Sequence, residues 1–193
     1  MNLMATNVKA VDVCVALLNY GTAAQNYFNY DVENPVNAGL TDEQKATVVP
    51  EVSADWTTGG TGTGTVSPAA TLKSKVNLAM TFILRDSRFL GVEDKSAFVM
   101  VITDESGSEV ARVNASVMRE TASLIALNAT YDDLRPADMR TTYNFTLYMG
   151  DVVASKTLTW SVEAYVKSCR GTDAEALADA MLVFGDAAAA YLG

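Results

Sequence analysis

Pairs of neighbouring carboxylates are the side chains in this sequence best suited to chemistry: Asp132 with Asp133, Glu93 with Asp94, and Asp104 with Glu105. Two carboxylates can serve as acid and base in glycoside cleavage, or they can hold a calcium ion. Each pair, however, falls in a predicted turn, where aspartate is common because it bonds the local backbone. We therefore expect solvated turn residues, and we predict no catalytic residue, no metal site and no cofactor.

The sequence contains no histidine. This excludes Ser-His-Asp and Cys-His nucleophile systems and the HExxH zinc sites. Cys14 and Cys169 lie far apart in the sequence and do not form a CxxC pair. We interpret them as buried, reduced thiols on helices, and a single disulfide joining the terminal helices is the alternative.

The charge of the chain argues against partners that carry phosphate. Its net charge is -9, with 14 Lys and Arg against 23 Asp and Glu, which opposes nucleic-acid and anionic-membrane binding. The glycine-rich residues 57–65 lack the Lys and Ser or Thr that end a phosphate-binding loop, so we predict a flexible linker or hairpin-like loop.

Apolar runs are too short to span a bilayer. Asp12 and Asn19 interrupt the apolar N-terminal segment, which does not read as a secretory signal, so a cytosolic chain and a chain with a processed signal both stay open.

The hydrophobic period predicts a β-rich centre between helical ends. Apolar residues recur at helical spacing from about residue 6 to 29, and again over 161–169 and 171–192. Strands are predicted at 72–84, 109–116, 122–130, 142–149 and 152–162, and the continuous apolar run at 97–103 predicts a strand buried on both faces. Because no helix-length segments separate these strands, we predict an antiparallel β-sandwich. Thr41 with Gln44, and Thr172 with Glu175, are predicted capping boxes.

These patterns divide the chain into four predicted segments. Residues 1–30 form an N-terminal helix, and residues 31–68 are a linker with a short helix and the glycine-rich loop. Residues 69–162 form the sandwich, and residues 163–193 are a C-terminal helical segment.

The two terminal helices carry similar sequences. Residues 13–29 and 177–193 share six identical positions of 17, and each presents an aromatic residue, a glycine, two alanines and a further aromatic residue. A glycine inside a helix costs about 1 kcal/mol relative to alanine, so we interpret both glycines as packing notches; chance similarity of alanine-rich helices is the alternative. The predicted interface residues are Tyr20, Gly21, Ala24, Tyr27, Phe28, Phe184, Gly185, Ala188 and Tyr191.

Four stretches, "LLNYGTAAQNYFNY", "AGLTDEQKA", "SVEAYV" and "MLVFGDAAAAYLG", together resemble a module of large secreted or surface-attached multidomain proteins from anaerobic Gram-positive bacteria, the Clostridia. The resemblance covers both chain ends and the last hairpin well, and residues 57–130 poorly. It implies an Ig-like β-sandwich flanked by helices, an extracellular or cell-surface location, and a structural or adhesive role without catalysis. Residues 1–30 would correspond to the closing helix of a preceding module. The C-terminal copy departs from the family pattern at Val183, Asp186 and Ala189.

The function we expect is therefore a non-enzymatic module that assembles through its terminal helices with copies of itself or adjoining domains. The alternative is a carbohydrate-binding module that contacts host or plant glycans. Trp160 shares the inward phase of Leu158 and Val162 and is a predicted core residue. Trp56 lies in a polar loop beside the glycine run, which makes it the candidate glycan contact.

Overall fold

A computed structural model of the chain describes residues 3–72 and 76–193. The chain divides into two compact units. The helical unit consists of Met1–Ala54, Arg135–Arg140 and Val162–Gly193, and the β-unit consists of Asp55–Leu134 and Thr141–Ser161. Together they contain antiparallel sheets and α-helices, which confirms the predicted combination of a β-rich fold with a helix at each end.

The β-unit contains two antiparallel sheets. The strands are β1 (Thr57–Gly59), β2 (Thr65–Leu72), β3 (Val76–Leu84), β4 (Phe98–Thr103), β5 (Glu109–Asn114), β6 (Ser116–Thr121), β7 (Leu124–Tyr131), β8 (Tyr143–Met149), β9 (Val152–Val153) and β10 (Thr157–Trp160). One sheet has the order β1-β10-β8-β4-β5, with β9 beside β8, and the other has the order β2-β3-β7-β6.

The core of the β-unit lies between these sheets, because strands in both bury alternate residues. In the four-stranded sheet, β3 pairs with β7 so that Phe82 lies opposite Leu127, and both are fully buried. In the other sheet, Ile102 of β4 lies opposite Phe145 of β8, and both are again fully buried. Trp160 is 2% exposed, which confirms its prediction as a core residue.

The contact between the sheets is visible in the aromatic residues. Tyr131 of β7 meets Tyr143 of β8 edge to face, with ring centroids 6.1 Å apart. Phe145 meets Trp160 in the same way on neighbouring strands. Edge-to-face pairs of this kind add to the free energy gained by burial alone.

The glycine-rich stretch differs from the flexible loop that its composition predicts. Residues 57–59 form strand β1 and residue 65 begins β2. A Cβ at Gly62 would lie 1.9 Å from the carbonyl oxygen of Ser155, and a Cβ at Gly64 would lie 2.2 Å from Leu84 Cδ2. Close packing therefore requires glycine at both positions, since a side chain at Gly62 would collide with the backbone of Ser155 and one at Gly64 with Leu84 and the carbonyl oxygen of Ala154.

The predicted strand 72–84 is also more complex than expected. Its residues belong to two strands, the end of β2 and the whole of β3, which pair with each other. Residues 73–75 of this predicted strand lie outside the described residues.

The helical unit contains α1 (Leu3–Phe28), α2 (Asp42–Lys45), α3 (Val162–Ser168) and α4 (Glu175–Leu192). The capping box predicted at Thr41 and Gln44 is confirmed, because each side chain accepts the backbone N–H of the other residue. The box predicted at Thr172 and Glu175 is wrong. The Thr172 hydroxyl donates to the Cys169 carbonyl instead, at 2.7 Å, and Glu175 accepts the Gly171 N–H at 2.9 Å.

Candidate functional site

Helices α1 and α4 pack against each other within the helical unit. Tyr20 and Phe184, which occupy equivalent positions in the two similar sequences, stack with centroids 6.1 Å apart and planes inclined by only 7°. Burial raises the pKa of the Tyr20 hydroxyl. The matching helix segments therefore meet inside one chain through their matching aromatic residues.

Each notch glycine is approached by a different part of the helical unit. A Cβ at Gly21 would lie 2.7 Å from Cγ2 of Val36, in the loop after α1. A Cβ at Gly185 would lie 2.7 Å from Met139 Sδ and 2.9 Å from the Pro136 carbonyl oxygen. Gly185 is thus confined by backbone, whereas Gly21 is confined only by the end of a side chain.

The remaining predicted interface residues have mixed surroundings. Ala24 and Ala188 are half-buried. Tyr27 and Phe28 are exposed and contact each other edge to face at 4.9 Å. Tyr191, near the end of α4, is also exposed. The structure therefore brings together only part of the predicted set, and it leaves the C-terminal end of α1 accessible.

A set of charged side chains holds the extended segment 50–54, and we call this set the charged clamp. Arg170 donates to the Pro50 carbonyl at 3.0 Å, and Lys167 donates to the Ser53 carbonyl at 3.2 Å. Arg140 donates to the Glu51 carbonyl at 3.1 Å. Glu163 accepts the N–H groups of Ser53 and Ala54 at 2.7 and 3.2 Å.

Glu163 is the most buried member of the charged clamp, at 7% exposure. Burial alone would raise the pKa of its carboxyl group, but the N–H groups of Ser53 and Ala54 and the guanidinium of Arg140 outweigh burial and lower that pKa. Arg140 lies 3.3 Å from Glu163 and also binds both oxygens of Asp186, at 2.6 and 2.9 Å. The lowered pKa keeps Glu163 charged at neutral pH. The charged clamp therefore holds segment 50–54 with ionised side chains.

A cavity of about 430 Å³ lies in the helical unit between α1, residues 37–48 and α4. Its lining combines small apolar residues with Asn, Thr, Lys and Asp side chains. Asp179 is 4% exposed and pairs through Oδ2 with Arg170. Its other oxygen, Oδ1, is buried and has no hydrogen-bond partner among the described residues.

Trp56 lies in the β-unit, immediately before β1, and is 48% exposed. It therefore presents a large apolar surface to solvent, as predicted from its polar surroundings. The cavity and Trp56 belong to different units, so they are separate candidates for ligand binding.

Two of the acidic pairs have the turn geometry that the sequence predicts. Asp94 accepts the N–H and hydroxyl of Ser96, and Asp104 accepts the Ser106 hydroxyl and the Ser108 N–H. These hydrogen bonds lower the pKa of both carboxyl groups. Across the described residues, no three metal-ligating side chains cluster closely enough to hold an ion.

The cysteines are both free. Cys169 is buried as expected, but Cys14 is exposed, so that prediction was wrong for Cys14. The alternative disulfide does not form.

Burial, together with a hydrogen bond to Cys169, raises the pKa of Tyr165 to about 12.

Sequence reasoning did not identify the charged clamp or the cavity. The clamp bonds join residues that are 89 to 120 positions apart, so no local motif records them. One signal was present in the sequence, namely Glu163 between the apolar residues Val162 and Ala164 of a short helix. A charge in such a position needs a partner when the helix is buried.

None of the helices in the described part of the chain is both long and apolar enough to serve as a transmembrane segment. Comparisons of the chain with protein-family models, curated proteins and solved structures found no match.

Proposed function

We propose that this protein is a non-enzymatic structural or adhesive module that works outside the cell, and that its β-unit is an Ig-like sandwich. The extracellular location rests on the sequence resemblance. The Ig-like assignment is supported by strand order, since β2-β3-β7-β6 matches the A-B-E-D sheet of an immunoglobulin domain. The run β10-β8-β4-β5 corresponds to the G-F-C-C′ order of the second sheet.

The observation that carries the assembly role is an exposed aromatic cluster at the end of α1. Phe28 is 55% exposed, Tyr30 is 72% exposed, and Tyr27 packs beside Phe28. Contiguous exposed apolar groups of this kind mark interaction surfaces in soluble proteins. Because the Tyr20 and Phe184 rings are already paired within the chain, the cluster of Tyr27, Phe28 and Tyr30 is the surface we assign to association with a second copy.

Sedimentation velocity over a range of protein concentrations tests this role. We expect the wild-type chain to associate as concentration rises, and the double substitution Phe28→Ser with Tyr30→Ser to sediment as a monomer. Met118→Ser is the matched control, because Met118 is similarly exposed but lies on β6. A wild-type chain that stays monomeric throughout, or an equal effect of the control, would contradict the proposal.

Carbohydrate binding through the β-unit is the second candidate, and the exposed ring of Trp56 favours it. An exposed indole offers a flat apolar face to a sugar ring. Binding on a glycan array that disappears with Trp56→Ala, in a variant with unchanged thermal stability, would support this function over assembly alone.

A further inference from the structure

We propose that the cavity of the helical unit binds a small neutral saccharide, with Asp179 Oδ1 as a hydrogen-bond acceptor for a sugar hydroxyl. The cavity shares Tyr27 with the surface assigned to association, but Phe28 and Tyr30, the residues replaced in the association test, do not line it, so the two proposals are tested by different variants. The inference also differs from the second candidate function, since Trp56 belongs to the β-unit.

The cavity has the size and composition of a small-molecule site. Its volume of about 430 Å³ falls within the range of roughly 300 to 1,000 Å³ that is typical of ligand pockets. Leu177 and Val183 supply apolar wall, while Thr22, Asn26 and Lys45 supply polar groups. Ligand pockets are usually lined by apolar side chains together with a few polar groups that fix the orientation of the ligand.

The unpartnered oxygen of Asp179 indicates what the ligand must offer. A buried acceptor without a hydrogen bond is unfavourable, so native structures rarely keep one. Oδ1 of Asp179 lacks a partner among the described residues, although its side chain lies in the cavity lining. A ligand that donates a hydrogen bond to Oδ1 after a small side-chain adjustment would complete the bonding of this carboxylate.

The charges around Asp179 favour a neutral donor over a cation. Arg170 pairs with Oδ2 of Asp179 and with Glu175, so the carboxylate of Asp179 is already engaged in an ion pair. Lys45 and Asp173, which carry opposite charges, also line the cavity, so the lining attracts neither a cation nor an anion strongly. A hydroxyl group satisfies these conditions, and it can accept from Lys45 or Asn26 as well as donate to Asp179.

A saccharide is the class of neutral molecule that combines several hydroxyl groups with apolar C–H faces. The hydroxyls match the polar side chains, and the C–H faces match Leu177 and Val183. Tyr27 contributes an aromatic side chain to the same lining, which suits contact with a sugar ring.

A glycan array first ranks sugars by their binding to the full chain. Isothermal titration with galactose, N-acetylglucosamine, cellobiose and maltose then tests the inference. We expect at least one of these sugars to bind the wild type. Ala176→Leu places a larger side chain at an exposed position of the cavity lining and should weaken binding at least tenfold. Ala190→Leu, at an exposed position of the same helix outside the lining, is the matched control and should bind as the wild type does.

Asp179→Asn provides a second readout that does not depend on blocking the cavity. It keeps the shape of the side chain, removes its charge and replaces one acceptor oxygen by a donor, so the affinity for the sugar should fall. The unfolding curve of this variant is recorded alongside as a control for folding. Absence of binding to all four sugars would overturn the proposal. Equal binding by Ala176→Leu and wild type would also overturn it, and binding lost only with Trp56→Ala would assign the sugar to the β-unit instead.

Discussion

The rings of Tyr20 and Phe184 stack on each other although they are 164 positions apart in the sequence. This pair joins the first and last long helices of one chain. The contact is made by equivalent residues of two similar sequences. The similarity of the helices thus serves packing within the molecule at this point.

Removing this stack should destabilise the helical unit by a measurable coupling energy. In a double-mutant cycle of Tyr20→Ala and Phe184→Ala, we expect a coupling of about 0.5 to 1.5 kcal/mol beyond the loss of burial. Urea denaturation of the four chains measures it. The matched cycle of Tyr20→Ala with Tyr191→Ala should be additive, because Tyr191 is an exposed aromatic residue elsewhere on α4.

The two notch glycines should respond differently to alanine. Gly185→Ala should cost about 1 to 3 kcal/mol of unfolding free energy, because its Cβ meets Met139 and the backbone oxygen of Pro136. Gly21→Ala should be neutral or stabilising, since only the exposed Val36 side chain must move and alanine improves helix propensity. Thermal unfolding of both variants tests this, and equal melting temperatures would refute the difference.

Glu163 should make the helical unit sensitive to acid. Because folding lowers its pKa, its contribution to stability is complete above its usual value of about 4.5 and is lost as the pH falls through the lowered pKa. Glu163→Gln should therefore be less stable than the wild type near pH 7, and the difference should shrink at about pH 3. Urea denaturation at both pH values measures it, with the exposed Glu93→Gln expected to match the wild type near pH 7.

Tyr165 should ionise late in an alkaline titration. Its pKa of about 12 means that the folded state favours the neutral hydroxyl, so this contribution is present below the usual value of 10 and is lost as the pH rises towards 12. Ultraviolet absorbance of the folded chain should show a late tyrosinate step. Tyr165→Phe should reduce the amplitude of this late step, and Tyr20, whose pKa is also raised by burial, should account for the part that remains.

Much of the secondary structure could be predicted from hydrophobic period. The alternation in β3 and β8 follows from one buried face per strand, and α1 and α4 lie largely within the stretches where apolar residues recur at helical spacing. The prediction for the glycine-rich stretch was wrong because amino-acid composition indicates how flexible a segment is, but not which other segments pack closely against it. Gly62 and Gly64 are explained by Ser155 and Leu84, which lie far along the sequence.

The candidate sites were less predictable for the same reason. The charged clamp depends on Arg140, Glu163 and Arg170 reaching backbone groups of segment 50–54, and a backbone partner leaves no residue-type signal in the sequence. Asp179 is one of several acidic residues in the C-terminal segment. The tertiary structure distinguishes it, because one of its oxygens pairs with Arg170 while the other is buried without a partner among the described residues.

The helical unit is assembled from three separated stretches of the chain, and the last of them ends at Gly193. Every residue of the β-unit precedes the third stretch of the helical unit in the chain, so the β-unit is synthesised before that stretch. Helix α1 precedes the β-unit in the chain, whereas its partner α4 follows it. Any premature stop after the β-unit would therefore release a chain whose N-terminal helix displays an uncovered apolar face, a ready target for proteases and chaperones.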